Sequence, residues 1–198
     1  MSIILRDVCK SYGGKAVLKD FSATFPLGQT TCVMGKSGCG KTTLLSILMG
    51  FVEPDSGEVL NIPRHVRSVF QEDRLCEAFS AAANIHMATG KPMTEVVAHL
   101  TELGLGDCVK KPVVKMSGGM KRRVALARAV AADGDLLLLD EPLKGLDSET
   151  KATVMEYLKR RTVGRTVIMV THDRVEADTL SHEIVELEEY QDDNTQPE

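Results

Sequence analysis

Tryptophan is absent from this 198-residue chain, and aromatic residues together make up only 4% of it. A core therefore has to come from aliphatic side chains, and at 43% hydrophobic residues there are enough of them for one sizeable domain. No excess of positive charge is present. The formal net charge is −4, which argues against a nucleic-acid binder. The basic runs Lys110-Lys111, Lys121-Arg122-Arg123 and Lys159-Arg160-Arg161 read as solvated helix faces and ends. C-x-x-C spacing is missing. The five scattered cysteines (Cys9, Cys32, Cys39, Cys76, Cys108) fit neither a disulfide framework nor a zinc site and suggest a reducing cytosol. No apolar run approaches about 18 residues and no secretory leader is seen, so the chain is expected not to span a membrane, though it can dock on something that does. There is no N-K-x-D guanine-reading motif, no internal repeat and no linker-like stretch.

What is present is an alternation of strand-like and helix-like segments. Residues 3–8 and 16–25 read as an antiparallel pair around the turn Tyr12-Gly13-Gly14. Residues 30–34 form an apolar strand leading into a helix that ends near Gly50. After the turn at 53–57 come strands at 58–60 and 66–70. From 71 to 115 the composition shifts to Ala, Glu, Leu and Met, with helices expected at 79–88 and 92–103. Ser117 then caps a helix through about Ala132. The run Leu136-Leu137-Leu138-Leu139 is typical of a parallel strand buried on both faces. A helix at 148–161, a strand at 166–171, a helix at 173–180 and a strand at 183–187 complete the pattern. This is an α/β chain with a mainly parallel sheet. One domain is expected over 1–188, with a core subdomain at about 1–71 and 130–188 and an inserted helical subdomain at about 72–129. The acidic tail, 189–198, is expected to be disordered.

The most informative stretch is Gly35-Lys36-Ser37-Gly38-Cys39-Gly40-Lys41-Thr42, which matches the phosphate loop G-x-x-x-x-G-K-[ST] in the required strand–loop–helix setting. Glycines let backbone N–H groups turn around phosphate oxygens, and the helix N-terminus adds partial positive charge. Lys41 would neutralise phosphates and the Thr42 hydroxyl would bind Mg²⁺. The strand at 136–139 ends in Asp140-Glu141, at the edge where α/β folds bind ligands. Asp140 can hold Mg²⁺ and Glu141 can polarise an attacking water. Ser117-Gly118-Gly119 at a helix start is a second anion site. A chain with one phosphate loop and two anion sites invites a two-chain arrangement. His172 follows a strand from which it could reach a terminal phosphate, and Gln71 ends a strand where its amide could contact Mg²⁺ or water. His65, His86, His99 and His182 read as surface or satisfied positions.

Taken in order, the phosphate loop at 35–42, Gln71, Ser-Gly-Gly-Met at 117–120, the acidic strand end at 136–141, Gly145-Leu146-Asp147 and Thr171-His172-Asp173 resemble the ATP-binding subunits of ABC transporters over residues 2–188. The likeness extends, over the short stretch 70–75, to the nitrate, sulfonate and taurine importers. It implies the P-loop ABC ATPase fold and ATP and Mg²⁺ as cofactors. It implies Tyr12 stacked on adenine, phosphates held by residues 35–43 (Thr43 included), and Mg²⁺ held by Thr42, Gln71 and Asp140. Glu141 would be the catalytic glutamate, His172 the switch histidine, and Asp147 the acid of the loop after it. Ser117, Gly118 and Gly119 would close on ATP held by a partner in a head-to-tail homodimer. The dimer would drive a solute, by import, through an integral membrane permease with an extracytoplasmic solute-binding protein, from the cytoplasmic face of the membrane. Arg74, Leu75 and Phe79 are the candidate permease contacts. Modification of Cys39 would block nucleotide binding. Departures from the likeness are Met120 where many relatives carry Gln, Lys144-Gly145 in place of Ser-Ala, and Lys36 in place of Pro. A second reading is a soluble ABC-type ATPase working on nucleic acid or ribosomes, against which the absence of coiled-coil arms and the acidic charge count. A third is a nucleotide-binding regulator that does not hydrolyse.

Overall fold

β1 (Ser2–Tyr12) and β2 (Lys15–Pro26) form the expected hairpin, and β4 (Ser56–Leu60) joins the other edge of β1, giving an antiparallel sheet in the order β2-β1-β4. β1 runs well past the expected residue 8. Its apolar alternation breaks because the register shifts on both sides of Val8, next to Asp7 at φ +47°, so the period-two pattern stops where the pairing does not. A computed structural model describes residues 1–188; the tail placed at 189–198 lies outside the described residues.

The second sheet is parallel throughout, in the order β5-β6-β7-β3-β8, from β3 (Thr30–Met34), β5 (Val66–Val69), β6 (Leu136–Asp140), β7 (Thr166–Thr171) and β8 (Glu183–Glu186). Its central strands are buried on both faces, as the unbroken apolar run at 136–139 requires. Leu137, Leu139, Val167 and Met169 enter one hydrophobic cluster, while Leu136, Leu138, Ile168 and Val170 enter the other. The second cluster also takes α1 (Lys41–Leu48) and the inner face of the antiparallel sheet.

The first cluster takes the helices: α2 (Ala81–Thr89), α3 (Met93–Glu102), α4 (Gly118–Ala131), α5 (Ser148–Arg161) and α6 (Arg174–Leu180). Ile85, Leu100, Leu105 and Val113 from the segment after Gln71 pack into the same cluster as Leu137 and Met169, so the helical segment is anchored to one face of the sheet. α2 starts two residues later than expected because Ser80 caps it, accepting a hydrogen bond from the Ala83 N–H. α3 meets α5 through buried His99, whose Nδ1 lies 2.7 Å from the Tyr157 hydroxyl. Burial holds that imidazole below its ordinary pKa. His99 is thus a satisfied core residue, whereas the other three are exposed and each has a polar partner: His65 against Asp135, His86 against the Lys91 carbonyl, and His182 against the Thr30 N–H.

The strand order decides what meets what. β7 lies between β6 and β3, so the loops leaving β3, β6 and β7 share one sheet edge, the carboxyl edge, and the turn after β5 is next to β6.

Candidate nucleotide site

The loop after β3 wraps on itself. Gly35 has no room for a side chain: a Cβ there would stand 2.4 Å from the Leu187 carbonyl oxygen and 2.6 Å from Cys39 Sγ. Gly40, the residue before α1, sits at φ +105°, a left-handed position that only glycine takes without strain, and a Cβ there would stand 2.8 Å from the Val17 carbonyl oxygen. Lys41 opens α1 and is buried. Its ammonium donates to the carbonyls of Gly35 (2.6 Å) and Lys36 (2.7 Å), cinching the loop. The first N–H groups of α1 have no intrahelical acceptors and carry the positive end of the helix dipole.

These groups line a cavity of about 240 Å³ with Ser37, Gly38, Thr42 and Thr43 on one wall and Gln71, Asp140, Glu141 and Lys144 on the other. Val17 from β2 closes it; nothing in the sequence flagged that valine, which arrives through sheet packing. A larger cleft of about 430 Å³ between β2 and β8 contains none of the residues singled out by motif, so chemistry, not size, locates the site.

Across the cavity the Thr42 hydroxyl stands 3.3 Å from Asp140 Oδ2. Burial raises the Asp140 carboxyl above its ordinary pKa, and the Thr42 hydroxyl, Arg122 and Lys41 offset this only in part. A buried carboxylate, a hydroxyl and the Gln71 amide are a hard-oxygen donor set, short of a full shell. That fits a cation which takes its remaining ligands from phosphate and water. Among the described residues no cluster of three or more His, Cys, Asp or Glu could hold a metal alone.

Glu141 follows Asp140 at φ +44°, a costly conformation for a non-glycine residue. It is held there by its N–H donating to Val170 O (2.9 Å) and its carbonyl accepting from Arg122. Its carboxylate, 18% exposed, is bracketed by two basic side chains, with His172 Nδ1 3.2 Å from Oε1 and Lys144 Nζ 3.0 Å from Oε2. The lysine contact is ionic but off hydrogen-bond alignment, which leaves Oε2 a buried acceptor with no aligned donor among the described residues. Burial pushes the Glu141 pKa up, but Lys144 and His172 outweigh it and hold the group below its ordinary value, so it is a carboxylate at neutral pH. An ionised carboxylate beside a phosphate-sized cavity, one of its oxygens held only by an unaligned ion pair, can accept a proton from water once that pair opens.

Other motif residues stand elsewhere. Ser117 caps α4, its hydroxyl accepting from the Met120 N–H at 3.3 Å, and with Gly118 and Gly119 it lines no part of this chain's own cavity. Asp147 caps α5, accepting from the N–H and hydroxyl of Thr150. Tyr12, at the end of β1, is half exposed outside the cavity lining, with Lys10 Nζ 5.7 Å from its ring centre. Lys36 is exposed on the loop.

Two expectations need correction. Cys39 is 1% exposed, its side chain part of the core and only its backbone part of the loop, whose N–H donates to Lys36 O. It is therefore shielded from reagents. With a bulky maleimide, mass spectrometry should find exposed Cys76 labelled first and Cys39 and buried Cys32 last; the thiol of Cys32 is moreover pushed by burial up to about 12. Rapid labelling of Cys39 would contradict the packing. The second correction concerns the basic triplet at 121–123. Arg122 is 5% exposed, and its guanidinium donates to the carbonyls of Phe70, Asp140, Glu141 and Pro142 and to Asp73 Oδ1. It ties the turn holding Gln71 to the acidic end of β6. The signal existed in the helical register, since Arg122 falls in line with Leu126 and Val130 on the buried stripe of α4. A second network is marked by no motif. Lys151 on α5 pairs with buried Glu176 (2.6 Å) and with Asp173 (3.2 Å), and Glu176 accepts from the Thr171 hydroxyl (2.7 Å), fixing the backbone on either side of His172.

A glycine-lined phosphate loop at the carboxyl edge of a parallel sheet, facing an Asp-Glu pair, defines a nucleotide-hydrolysing α/β protein. Comparison with known proteins narrows the class. Residues 18–144 match the family described as ABC transporter. The chain is 39% identical over 203 residues to the aliphatic sulfonates import ATP-binding protein SsuB 1 of Rhizobium johnstonii, covering 95% of this chain and 74% of that protein. It is 38% identical over 200 residues to the spermidine/putrescine import ATP-binding protein PotA of Mycoplasma capricolum subsp. capricolum, covering 91% of this chain and 57% of that one. Among solved structures it superposes on the dimeric, post-hydrolysis state of the ATP-binding cassette MJ0796 bound to ADP and Pi, with a TM-score of 0.82 at 27% identity over 96% of this chain and 97% of that one. The chain belongs to the ABC transporter family, as one of its ATP-binding, ATP-hydrolysing cassettes.

Proposed function

We propose that this protein is the Mg²⁺-dependent ATPase subunit of an importer, working as a head-to-tail homodimer on the cytoplasmic face of a separate membrane permease. The observation that supports it best is the ionised Glu141 carboxylate, held at the edge of the phosphate cavity by His172 on Oε1 and by an unaligned ion pair with Lys144 on Oε2. In this reading Lys41 and the α1 N-terminus hold the phosphates, and Thr42, Gln71 and Asp140 hold Mg²⁺. When bound there, Mg²⁺ would supply neutralisation of the phosphate charge. Glu141 Oε2 orients a water and takes its proton as the water oxygen bonds to the γ-phosphorus. The bond from that phosphorus to the β–γ bridging oxygen breaks, and ADP leaves with the electron pair. His172 keeps the Glu141 carboxylate in place through Oε1.

Ser117, Gly118 and Gly119 are exposed or half-exposed and away from their own chain's cavity. That arrangement suits their closing on nucleotide held by a second copy, with Tyr12 stacking on adenine and Asp147 at the junction. The surface beside Gln71 suits a permease: Phe51 and Phe79 are exposed, and Arg74 lies 3.8 Å over the Phe70 ring, which stacks on Phe51. No helix among the described residues is long and apolar enough to cross a membrane. The two relatives are named for cargoes of opposite charge, sulfonates and polyamines. That fits an engine whose cargo is chosen by the permease and a solute-binding protein.

The test is release of phosphate from ATP by the purified protein, with and without EDTA. Turnover should require Mg²⁺, and light scattering should show a dimer with ATP that dissociates after hydrolysis. Phosphate release that survives chelation would remove the metal from the reading, and stimulation by RNA or DNA would favour a soluble nucleic-acid-linked ATPase instead.

A further inference from the structure

Lys144 has no counterpart in the reading above. Residues 141–144 make a turn, closed by the Lys144 N–H donating to Glu141 O at 3.1 Å, with Pro142 at its second position. The turn brings the Lys144 side chain back over Glu141, where its ammonium lines the phosphate cavity. That side chain is 52% exposed, on a flexible stem, and its ion pair with Glu141 is off hydrogen-bond alignment. It is thus placed in the cavity without being locked there.

The charge of the cavity gives this lysine a task. Its charged lining consists of two lysines, Lys41 and Lys144, and two carboxylates, Asp140 and Glu141. Lys41 is buried and already donates to two loop carbonyls. Without Lys144 the lining would carry more negative than positive side chains at the end where a terminal phosphate has to sit beside Glu141. A dianionic phosphoryl group competes well for a lysine ammonium held only by an unaligned carboxylate.

We propose that Lys144 is a ligand of the terminal phosphate, exchanging the Glu141 carboxylate for the γ-phosphate when a triphosphate binds, so that the protein senses the third phosphate within a single subunit. The exchange also frees Glu141 Oε2 for water at the moment a substrate is present. The inference rests on the reading that the cavity takes ATP. Because Lys144 is on the surface of a turn, its replacement should not unfold the chain.

The experiment measures binding, not turnover. Affinities for ADP and for the non-hydrolysable β,γ-imido analogue of ATP, both with Mg²⁺, are compared by calorimetry for wild type, Lys144→Ala and Lys144→Arg. Protein concentrations are kept where light scattering shows monomer, so that a partner's Ser117 does not contribute. Lys144→Ala should weaken the triphosphate analogue about fivefold, the size expected for one partly exposed charge contact, and leave ADP within about twofold. Lys144→Arg should restore most of the difference. Equal weakening of both nucleotides would assign Lys144 a merely structural part and overturn the proposal. So would no change in either, or a tighter triphosphate, which would make the lysine a lock on Glu141. If wild-type protein binds neither nucleotide, the reading of the cavity falls first and Lys144 with it.

Discussion

Glu141→Gln should lower ATP turnover by about two to four orders of magnitude while leaving ATP bound and the dimer closed. Gln matches Glu in size and keeps an acceptor, but an amide takes no proton from water at neutral pH. The backbone restraints on residue 141, its N–H on Val170 and its carbonyl on Arg122, do not involve the side chain, so the strained φ of +44° should persist. The loss is then chemical and not a collapse of the site. Single-turnover phosphate release together with light scattering in ATP checks both parts. Turnover within a few-fold of wild type would take the proton-accepting role away from Glu141. Turnover lost together with ATP binding would mean that the carboxylate supports the cavity more than the reaction.

Arg122→Met should strongly destabilise the chain, although the residue sits in a basic run that reads as solvated. The side chain is 5% exposed and donates to four backbone carbonyls and one carboxylate. Methionine fills a similar volume, yet leaves these acceptors without a donor in a largely buried place. The cost of breaking a buried charged network is about 3–5 kcal/mol, or very roughly a 10 °C lower melting temperature for a chain of this size. Arg160→Met is the comparison, since its contact with Glu102 is on the surface and is worth about 0–1 kcal/mol. Heat or urea unfolding of the two variants separates the cases. Since the same guanidinium joins the Gln71 turn to the Asp140-Glu141 end of β6, residual folded Arg122→Met protein should also turn over more slowly than Arg160→Met. Equal melting of the two would show that the carbonyls find other partners.

The residues of Gly35 to Thr42 and of 136–141 were legible in the chain because each motif carries its own local physics. Glycines, a lysine and a hydroxyl on a strand–loop–helix unit need nothing distant to suggest phosphate, and four leucines before two acids suggest a buried strand end. Ser117 was legible in another sense, as the side-chain cap of its own helix; the structure adds Asp147 and Asp173 as caps of theirs. What escaped were residues whose importance depends on who stands opposite. Arg122 looked like one basic residue among three until α4 buried it against carbonyls from two separate strand ends. Cys39 looked like a reactive thiol within the loop until the loop turned it into the core.

By itself, then, the order of residues determined the α/β alternation, the phosphate loop and the acidic strand end, because these follow from contacts within a few residues. Only the tertiary structure decided that Thr42 faces Asp140 across β7, that His172 and Lys144 share one carboxylate, and that Arg122 joins two strand ends. Those pairings span up to 98 residues of chain. They follow from the strand order β5-β6-β7-β3-β8, and local pattern does not specify which strand becomes whose neighbour.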